Sequence, residues 1–152
     1  MAPISSIPPA MRRARELARS AQVLCVDDAP MVRALLCLAF AEWPNVEILG
    51  DPEEALELAL RREREGRPFE AIVLDIVMEP MDGLSLGARL RMRSAYAHVP
   101  LVFLTAAADN PASVAAVHRL GASIVDKGPR TGRELEEILV GTLSLSAAPT
   151  GT

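Results

Sequence analysis

The stretch Glu70-Ala-Ile-Val-Leu-Asp75-Ile-Val-Met-Glu79-Pro80-Met-Asp82-Gly83 decides the fold of this chain. Four apolar residues lead directly into Asp75, and a proline and an Asp-Gly pair follow as turn residues. A short apolar run with such boundaries is typical of a parallel strand that is buried on both faces. Open α/β folds bind their ligands at the carboxyl ends of these strands, so Asp75 is predicted at that edge. Aspartate also follows strands simply because it suits turns, and this stretch alone does not decide between the two interpretations.

The rest of the chain alternates short apolar runs with longer amphipathic segments. Strands are predicted at 23–26, 46–49, 71–74, 101–104 and 123–126. Helices are predicted at 31–43, 53–65, 84–96, 110–120 and 132–143. Strict alternation of this kind predicts a parallel sheet covered by helices on both faces, with right-handed crossovers.

An N-terminal extension over residues 1–21 precedes this alternation. It begins with a proline-rich lead-in, followed by a predicted helix over 10–22. Residues 1–21 carry a charge of +3, which leaves −7 for the remainder of a chain whose net charge is −4. A solvated helix is the simpler interpretation, and docking onto its own acidic domain or a partner is the alternative. We predict a single domain over 22–143 and a flexible tail over 144–152.

The composition excludes several classes of protein. Half of the residues are apolar and 24% are charged, as in ordinary soluble domains. A net charge of −4 and 3% aromatic residues argue against a nucleic-acid surface. The longest apolar run, 34–41, is too short to cross a membrane, and no signal peptide is recognisable, so we predict a cytoplasmic protein. Cys25 and Cys37 lie in apolar runs and are predicted to be reduced core thiols.

Polar residues follow four of the five predicted strands. They are Asp27 and Asp28 after strand one, Asp75 after strand three, Thr105 after strand four and Lys127 after strand five. Each has a plain structural alternative, because acids and threonine cap helices and most lysines are solvated. Parallel strands end at one edge of the sheet, however, so we expect all five side chains to lie close together.

Such a group of side chains has a coherent chemistry. Closely packed carboxylates raise one another's pKa unless a cation is present, and hard oxygen ligands suit Mg²⁺. A carboxylate beside such an ion can attack phosphorus and form an aspartyl-phosphate. Phosphoryl transfer depends mainly on positioning and on charge neutralisation, which Lys127 and the metal would supply, while Thr105 would supply a hydroxyl donor.

The sequence resembles the receiver domain of two-component response regulators over residues 22–143. The resemblance is carried by Val-Leu-Cys-Val-Asp27-Asp28, Ile-Val-Leu-Asp75 with Met-Asp82-Gly83, Phe-Leu-Thr105-Ala106, and Gly121-Ala122 with Asp126-Lys127. It implies a flavodoxin-like (βα)5 doubly wound sheet of strand order 2-1-3-4-5, here with an extra N-terminal helix.

The resemblance also implies a role for each site residue. Asp75 would be the phosphoacceptor, and Asp28, Asp75 and the backbone carbonyl of Val77 would ligate Mg²⁺, with Asp27 acting through a water. Thr105, Ala106 and Lys127 would bind the phosphoryl group. A sensor histidine kinase or histidine phosphotransfer protein would supply the phosphate. A downstream protein would bind the face formed by the fourth helix, fifth strand and fifth helix of the alternating unit, where Val114, Val117, Ile138 and Val140 are candidates for exposure.

Three positions depart from the family's usual pattern. Met78-Glu79-Pro80 places the proline one residue later than usual after the acceptor. The family also usually has a lysine followed directly by a proline, often through a cis peptide bond, whereas Gly128 stands between Lys127 and Pro129 here. Ile124 stands where the family usually has a switching Tyr or Phe. In addition, Val77 and Ala107 occupy the places that flank the hydrolytic water, which predicts slow self-dephosphorylation.

Several functions are open at this point. The leading prediction is a stand-alone, single-domain response regulator that signals by phosphorylation-dependent protein binding and is not an enzyme. The same fold could serve as a phosphate sink or relay, or as a phosphate-independent adaptor, although intact Asp75, Thr105 and Lys127 argue against an adaptor. A phosphatase of the haloacid-dehalogenase type would need a second acid where this chain has Val77.

Overall fold

Five parallel strands form one sheet in the order β2-β1-β3-β4-β5, which confirms the predicted fold. The computed structural model of the chain describes residues 7–106 and 110–147, with side chains through residue 144. The strands are β1 (Val23–Val26), β2 (Val46–Leu49), β3 (Ala71–Asp75), β4 (Leu101–Thr105) and β5 (Ser123–Asp126). The helices are α1 (Pro9–Arg19), α2 (Pro30–Ala39), α3 (Pro52–Arg64), α4 (Gly83–Arg91), α5 (Pro111–Arg119) and α6 (Thr131–Ala147). A short 3₁₀ helix, Ser94–Tyr96, follows α4.

Helices cover the sheet on both faces because alternate strand residues point to opposite sides. Val23 and Cys25 of β1 pack with residues of α1, α2 and α6 in one apolar core. Leu24 and Val26 pack with residues of α3, α4 and α5 in the other. The carboxyl ends of the strands are therefore held between two rigid layers.

Helix α1 packs against α6, so the interpretation of α1 as a solvated helix is wrong. Ala18 is buried in the core that α6 also lines. The Arg19 guanidinium pairs with Glu136 of α6 at 2.5 Å and with Glu42 at 2.9 Å. The basic extension thus docks onto its own acidic domain, which is the alternative that the charge split left open.

Two local predictions need correction, and a question about a cis peptide bond that the sequence left open is answered. Cys25 is buried as predicted, but Cys37 is exposed because it lies on the outer face of α2. Helix α6 runs through residue 147, past the predicted end at 143, because the segment after 143 has no glycine or proline until Pro149. The cis peptide bond of the described residues is Glu79–Pro80, and none occurs at Gly128–Pro129. Among these residues, no helix is long and apolar enough for a membrane crossing.

Candidate functional site

Three aspartates meet at the carboxyl edge of the sheet. One carboxylate oxygen each from Asp27, Asp28 and Asp75 lies within 4.8 Å of the others. Asp27 is fully buried and Asp75 nearly so, whereas Asp28 is exposed. The cluster therefore has a buried base and one side that opens to solvent, as a site for an incoming ligand requires.

Lys127 bridges two of these carboxylates. Its Nζ lies 3.0 Å from Asp27 Oδ2 and 3.1 Å from Asp75 Oδ1. The Lys127 backbone N–H donates to the Thr105 carbonyl, which ties the loop to the end of β4. The Thr131 hydroxyl accepts from the Gly128 N–H at 2.8 Å and donates to the Asp126 carbonyl at 2.9 Å. These hydrogen bonds hold the loop in the conformation in which Lys127 contacts the aspartate cluster.

Hydrogen bonds to both the backbone and the side chain of Asp27 hold it in place. Its N–H donates to the Leu49 carbonyl, and its Oδ1 accepts from the Ala29 N–H at 2.9 Å. Its carbonyl accepts from Arg33 Nη1 at 3.0 Å. Gly50 leaves room for this guanidinium, since a Cβ there would lie 2.6 Å from Arg33 Nη1. Arg33 was missed by the sequence analysis, because a side chain that binds a backbone carbonyl leaves no pattern in the sequence.

The loop after β3 shapes the surroundings of Asp75. The Val77 N–H donates to Asp75 Oδ1 at 3.3 Å, and the Gly83 N–H donates to the Ile76 carbonyl at 2.8 Å. A Cβ on Gly83 would overlap the Asp75 carbonyl oxygen, so only glycine permits this approach of α4 to β3. Asp82 caps α4 by accepting from the Ser85 N–H. The Val77 side chain is 77% exposed beside the acceptor carboxylate.

The site has an excess of negative charge. Burial raises the pKa of Asp75, and Asp27 adds to this rise, although the bond from Lys127 opposes it. Burial lowers the pKa of Lys127, but its bonds with Asp27 and Asp75 outweigh this effect, and the net shift is upward. The pKa of Asp75 thus rises mainly because the carboxyl is buried, and that of Lys127 rises because its ammonium faces two carboxylates. This set of hard carboxylate oxygens fits a small divalent cation such as Mg²⁺.

The remaining predicted site residues lie nearby or outside the described residues. Thr105 is buried at the end of β4, and Ala106 is exposed just beyond it. Ile124 is half-buried on β5, opposite Phe103. Ala107 lies outside the described residues. Of the apolar side chains predicted for a partner-binding face, Val117 is buried, and Val114, Ile138 and Val140 are only half-buried.

Comparison with known proteins gives a consistent result. The family model described as "Response regulator receiver domain" matches residues 23–139. A protein-glutamate methylesterase/protein-glutamine glutaminase of Anaeromyxobacter dehalogenans is 38% identical over 126 residues, which are 79% of this chain and 33% of that protein. This chain spans about a third or less of the length of the first curated relatives that it matches.

Solved structures show the same fold. Chemotaxis protein CheY4 of Vibrio cholerae superposes with a TM-score of 0.69 at 27% identity, over 81% of this chain and 98% of that chain. The receiver domain of a sensor histidine kinase from Pseudomonas aeruginosa PAO1 also has a TM-score of 0.69, at 23% identity, over 82% and 98% of the two chains. In that structure a magnesium ion is coordinated in the active-site cleft.

Proposed function

Because this chain belongs to the response regulator receiver domain family, we propose that it is a phosphoacceptor switch that works on Asp75. The phosphoryl donor would be a sensor histidine kinase or a histidine phosphotransfer protein. The observation that carries the proposal is Lys127 Nζ, placed 3.1 Å from Asp75 at the edge of a solvent-open cluster of three carboxylates. The arrangement neutralises charge where a phosphoryl group would arrive.

The reaction is a single displacement at phosphorus. A carboxylate oxygen of Asp75 forms the new O–P bond while the P–N bond of the donor's phosphohistidine breaks, and the electron pair leaves with the imidazole nitrogen. Lys127 balances part of the charge that the phosphoryl oxygens bring. Asp28, Asp75 and the Val77 carbonyl would hold Mg²⁺, with Asp27 acting through water, and the ion would supply the remaining charge neutralisation.

The phosphorylated state would act by protein binding rather than by catalysis on a second substrate. Phosphorylation adds nearly two negative charges, which would draw the Thr105 hydroxyl and the Ala106 N–H toward the phosphoryl group. Thr105 ends β4, and β4 pairs with the strand that carries Ile124. The face of α5, β5 and α6 is therefore the output surface that we propose.

We also propose that the phosphorylated state is long-lived. Hydrolysis needs a water aligned with the phosphorus, and the exposed apolar side chain of Val77 cannot hydrogen-bond such a water. Replacing Val77 with Asn and Ala107 with Glu should therefore speed the loss of phosphate. Decay of the labelled protein, compared between wild type and this double variant, measures the effect, and equal decay rates would contradict it.

Labelling with acetyl phosphate tests the assignment of Asp75 directly. With Mg²⁺, intact mass should rise by one phosphoryl group in wild type and remain unchanged in Asp75→Asn. Asp126→Asn is the matched control, because Asp126 is an exposed acid at the end of β5 and its replacement should leave labelling intact. Labelling of Asp75→Asn equal to wild type, or labelling that a chelator does not reduce, would contradict the proposal.

A further inference from the structure

Arg33 lies in the first turn of α2, where a cation does not help the helix. The N-terminus of a helix carries partial positive charge, so acidic side chains are the ones that stabilise its first turn. This turn has no acidic residue, and none of the ion pairs between described residues includes Arg33. Its guanidinium instead binds a neutral group, the Asp27 carbonyl, 3.0 Å from Nη1. The stability of α2 therefore does not explain an arginine at this position.

The contacts of Arg33 close the turn that carries Asp28. On one side of Asp28, the guanidinium donates to the Asp27 carbonyl. On the other side, the Arg33 backbone N–H donates to the Ala29 carbonyl at 3.0 Å. The Asp27 carboxylate accepts from the Ala29 N–H across the same turn at 2.9 Å. Three hydrogen bonds thus fix the backbone from which the Asp28 side chain extends.

Asp28 depends on this backbone for its position. It is exposed, and no described residue donates a hydrogen bond to its carboxylate. One of its oxygens nevertheless lies within 4.8 Å of oxygens of Asp27 and Asp75. Like charges at such a distance repel each other, so a loose turn would let Asp28 move away from the other two carboxylates.

A glycine after β2 makes room for the Arg33 contact. A Cβ on Gly50 would lie 2.6 Å from Arg33 Nη1 and 3.0 Å from its Cζ. The neighbouring Leu49 carbonyl accepts from the Asp27 N–H, so the same part of the chain also holds Asp27. The contact can therefore be broken from either side, by removing the guanidinium or by filling the space that it occupies.

We propose that Arg33 is a positioning residue for the divalent cation of the aspartate cluster. By binding the Asp27 carbonyl, it keeps the Asp28 carboxylate beside those of Asp27 and Asp75. The inference rests on the proposed function and deepens it, because it assigns a further residue to the same metal site. Removal of residues that orient metal ligands commonly weakens metal affinity roughly 10–100-fold.

Binding of Mn²⁺ to the full unphosphorylated chain tests this role. The EPR signal of free Mn²⁺ measures its affinity, and competition measures that of Mg²⁺. Arg33→Met should weaken binding about tenfold. Gly50→Ala should also weaken binding although it keeps the positive charge, because the added methyl group displaces the guanidinium. The double variant should bind no more weakly than Arg33→Met, since both changes break one contact.

The direction of the change separates positioning from charge. If Arg33 acted only through its charge, its removal would leave the cluster more negative, and Arg33→Met would bind Mn²⁺ more tightly. Arg91→Met is the matched control, because Arg91 also donates to backbone carbonyls, among them that of Val99 just before β4. It lies at the amino ends of the strands, so Arg91→Met should lose stability and keep wild-type affinity for Mn²⁺.

Tighter or unchanged binding in Arg33→Met, or unchanged binding in Gly50→Ala, would overturn the proposal. Asp28→Asn distinguishes this failure from a failure of the proposed metal site, because it removes a ligand and should abolish most Mn²⁺ binding. Wild-type binding in Asp28→Asn would overturn the metal assignment of the proposed function together with this inference. Loss of binding in Asp28→Asn, with unchanged binding in Arg33→Met, would overturn the role of Arg33 alone.

Discussion

At the scale of single residues, Asp75 is held in a site that disfavours its own charge. Burial and the neighbouring Asp27 raise its pKa above the usual value, so the folded state binds a proton more readily than the unfolded chain does. The free energy of unfolding therefore falls as pH rises from the ordinary Asp pKa of 3.8 through the higher pKa that Asp75 has in the folded state.

Asp75→Asn should therefore stabilise the protein at neutral pH in the absence of divalent cations. The gain in stability should shrink as pH falls below about 4, because the wild-type carboxyl is then protonated and as neutral as the amide that replaces it. Lys127 keeps Asp27 as a partner in the variant, so removal of Asp75 does not leave it unpaired. Urea unfolding in EDTA across this pH range measures the difference. A variant that is less stable than wild type at pH 7 would show that the Lys127 pair outweighs the cost of burial.

Gly83 is required by the backbone of the phosphoacceptor strand. Gly83→Ala should lower the free energy of unfolding by about 3 kcal/mol, because the added Cβ would overlap the Asp75 carbonyl and the backbone must shift. Gly141→Ala is the control, since it adds a methyl group in open space within α6 and should stabilise by about 0.5–1 kcal/mol. Denaturant unfolding measures the change in both variants. Equal changes in their free energies of unfolding would contradict this role of Gly83.

The aspartates and Lys127 could be predicted from sequence because each follows an apolar run, and parallel strands bring such positions together. Arg33 and the close packing at Gly83 could not, since their partners are backbone atoms whose positions depend on the finished fold. The exposure of Cys37 was mispredicted for a related reason: the apolar run around it continues on the outer face of α2, with Leu38 also exposed.

At the scale of elements, Arg91 joins α4 to the end of α5. Its Nε donates to the Leu120 carbonyl at 2.9 Å, and its Nη1 donates to the carbonyls of Tyr96 and Val99 at 2.9 and 2.7 Å. Burial lowers the pKa of the guanidinium. Its Nη2 also donates to the Gly121 carbonyl at 3.4 Å, so one side chain serves four backbone acceptors in two separate segments.

Arg91→Ala should lower the free energy of unfolding by about 2–3 kcal/mol, because partly buried carbonyls lose a charged donor. Arg89→Ala provides the comparison, as Arg89 is exposed on the same helix and its loss should change stability by less than about 0.5 kcal/mol. Thermal or urea unfolding distinguishes the two. Similar losses in both variants would show that helix propensity, and not the bridge to α5, is responsible.

The ends of helices and strands could be predicted from the sequence only where a proline or a capping residue marks them. The starts of α3, α5 and β4 follow prolines or a capping Asp or Asn and were predicted within a residue or two. Helix α6 continues through Ser144-Leu-Ser-Ala147, where no glycine or proline marks an end. Helix α4 gives way to a 3₁₀ turn because Tyr96 is drawn into the core, where its hydroxyl donates to the Ala59 carbonyl.

At the scale of the whole molecule, the switch is expected to be shallow. Ile124 is half-buried and β-branched, so it has no ring to rotate into space that Thr105 vacates. Hydrogen exchange in α5 and β5 should change only modestly on adding Mg²⁺ and beryllofluoride, and more in Ile124→Tyr. A large change in wild type that Ile124→Ala removes would show that Ile124 itself is the moving part.

The docking of α1 also sets the order in which the molecule is completed. Arg19 and Glu136 are 117 residues apart, and closing so long a loop is entropically slow. During synthesis at about 5–20 residues per second, α1 would leave the ribosome roughly 6–23 s before its binding site on α6 exists. A chain that stops before α6 therefore leaves the apolar side of α1, with Ala18, without the helix that it packs against.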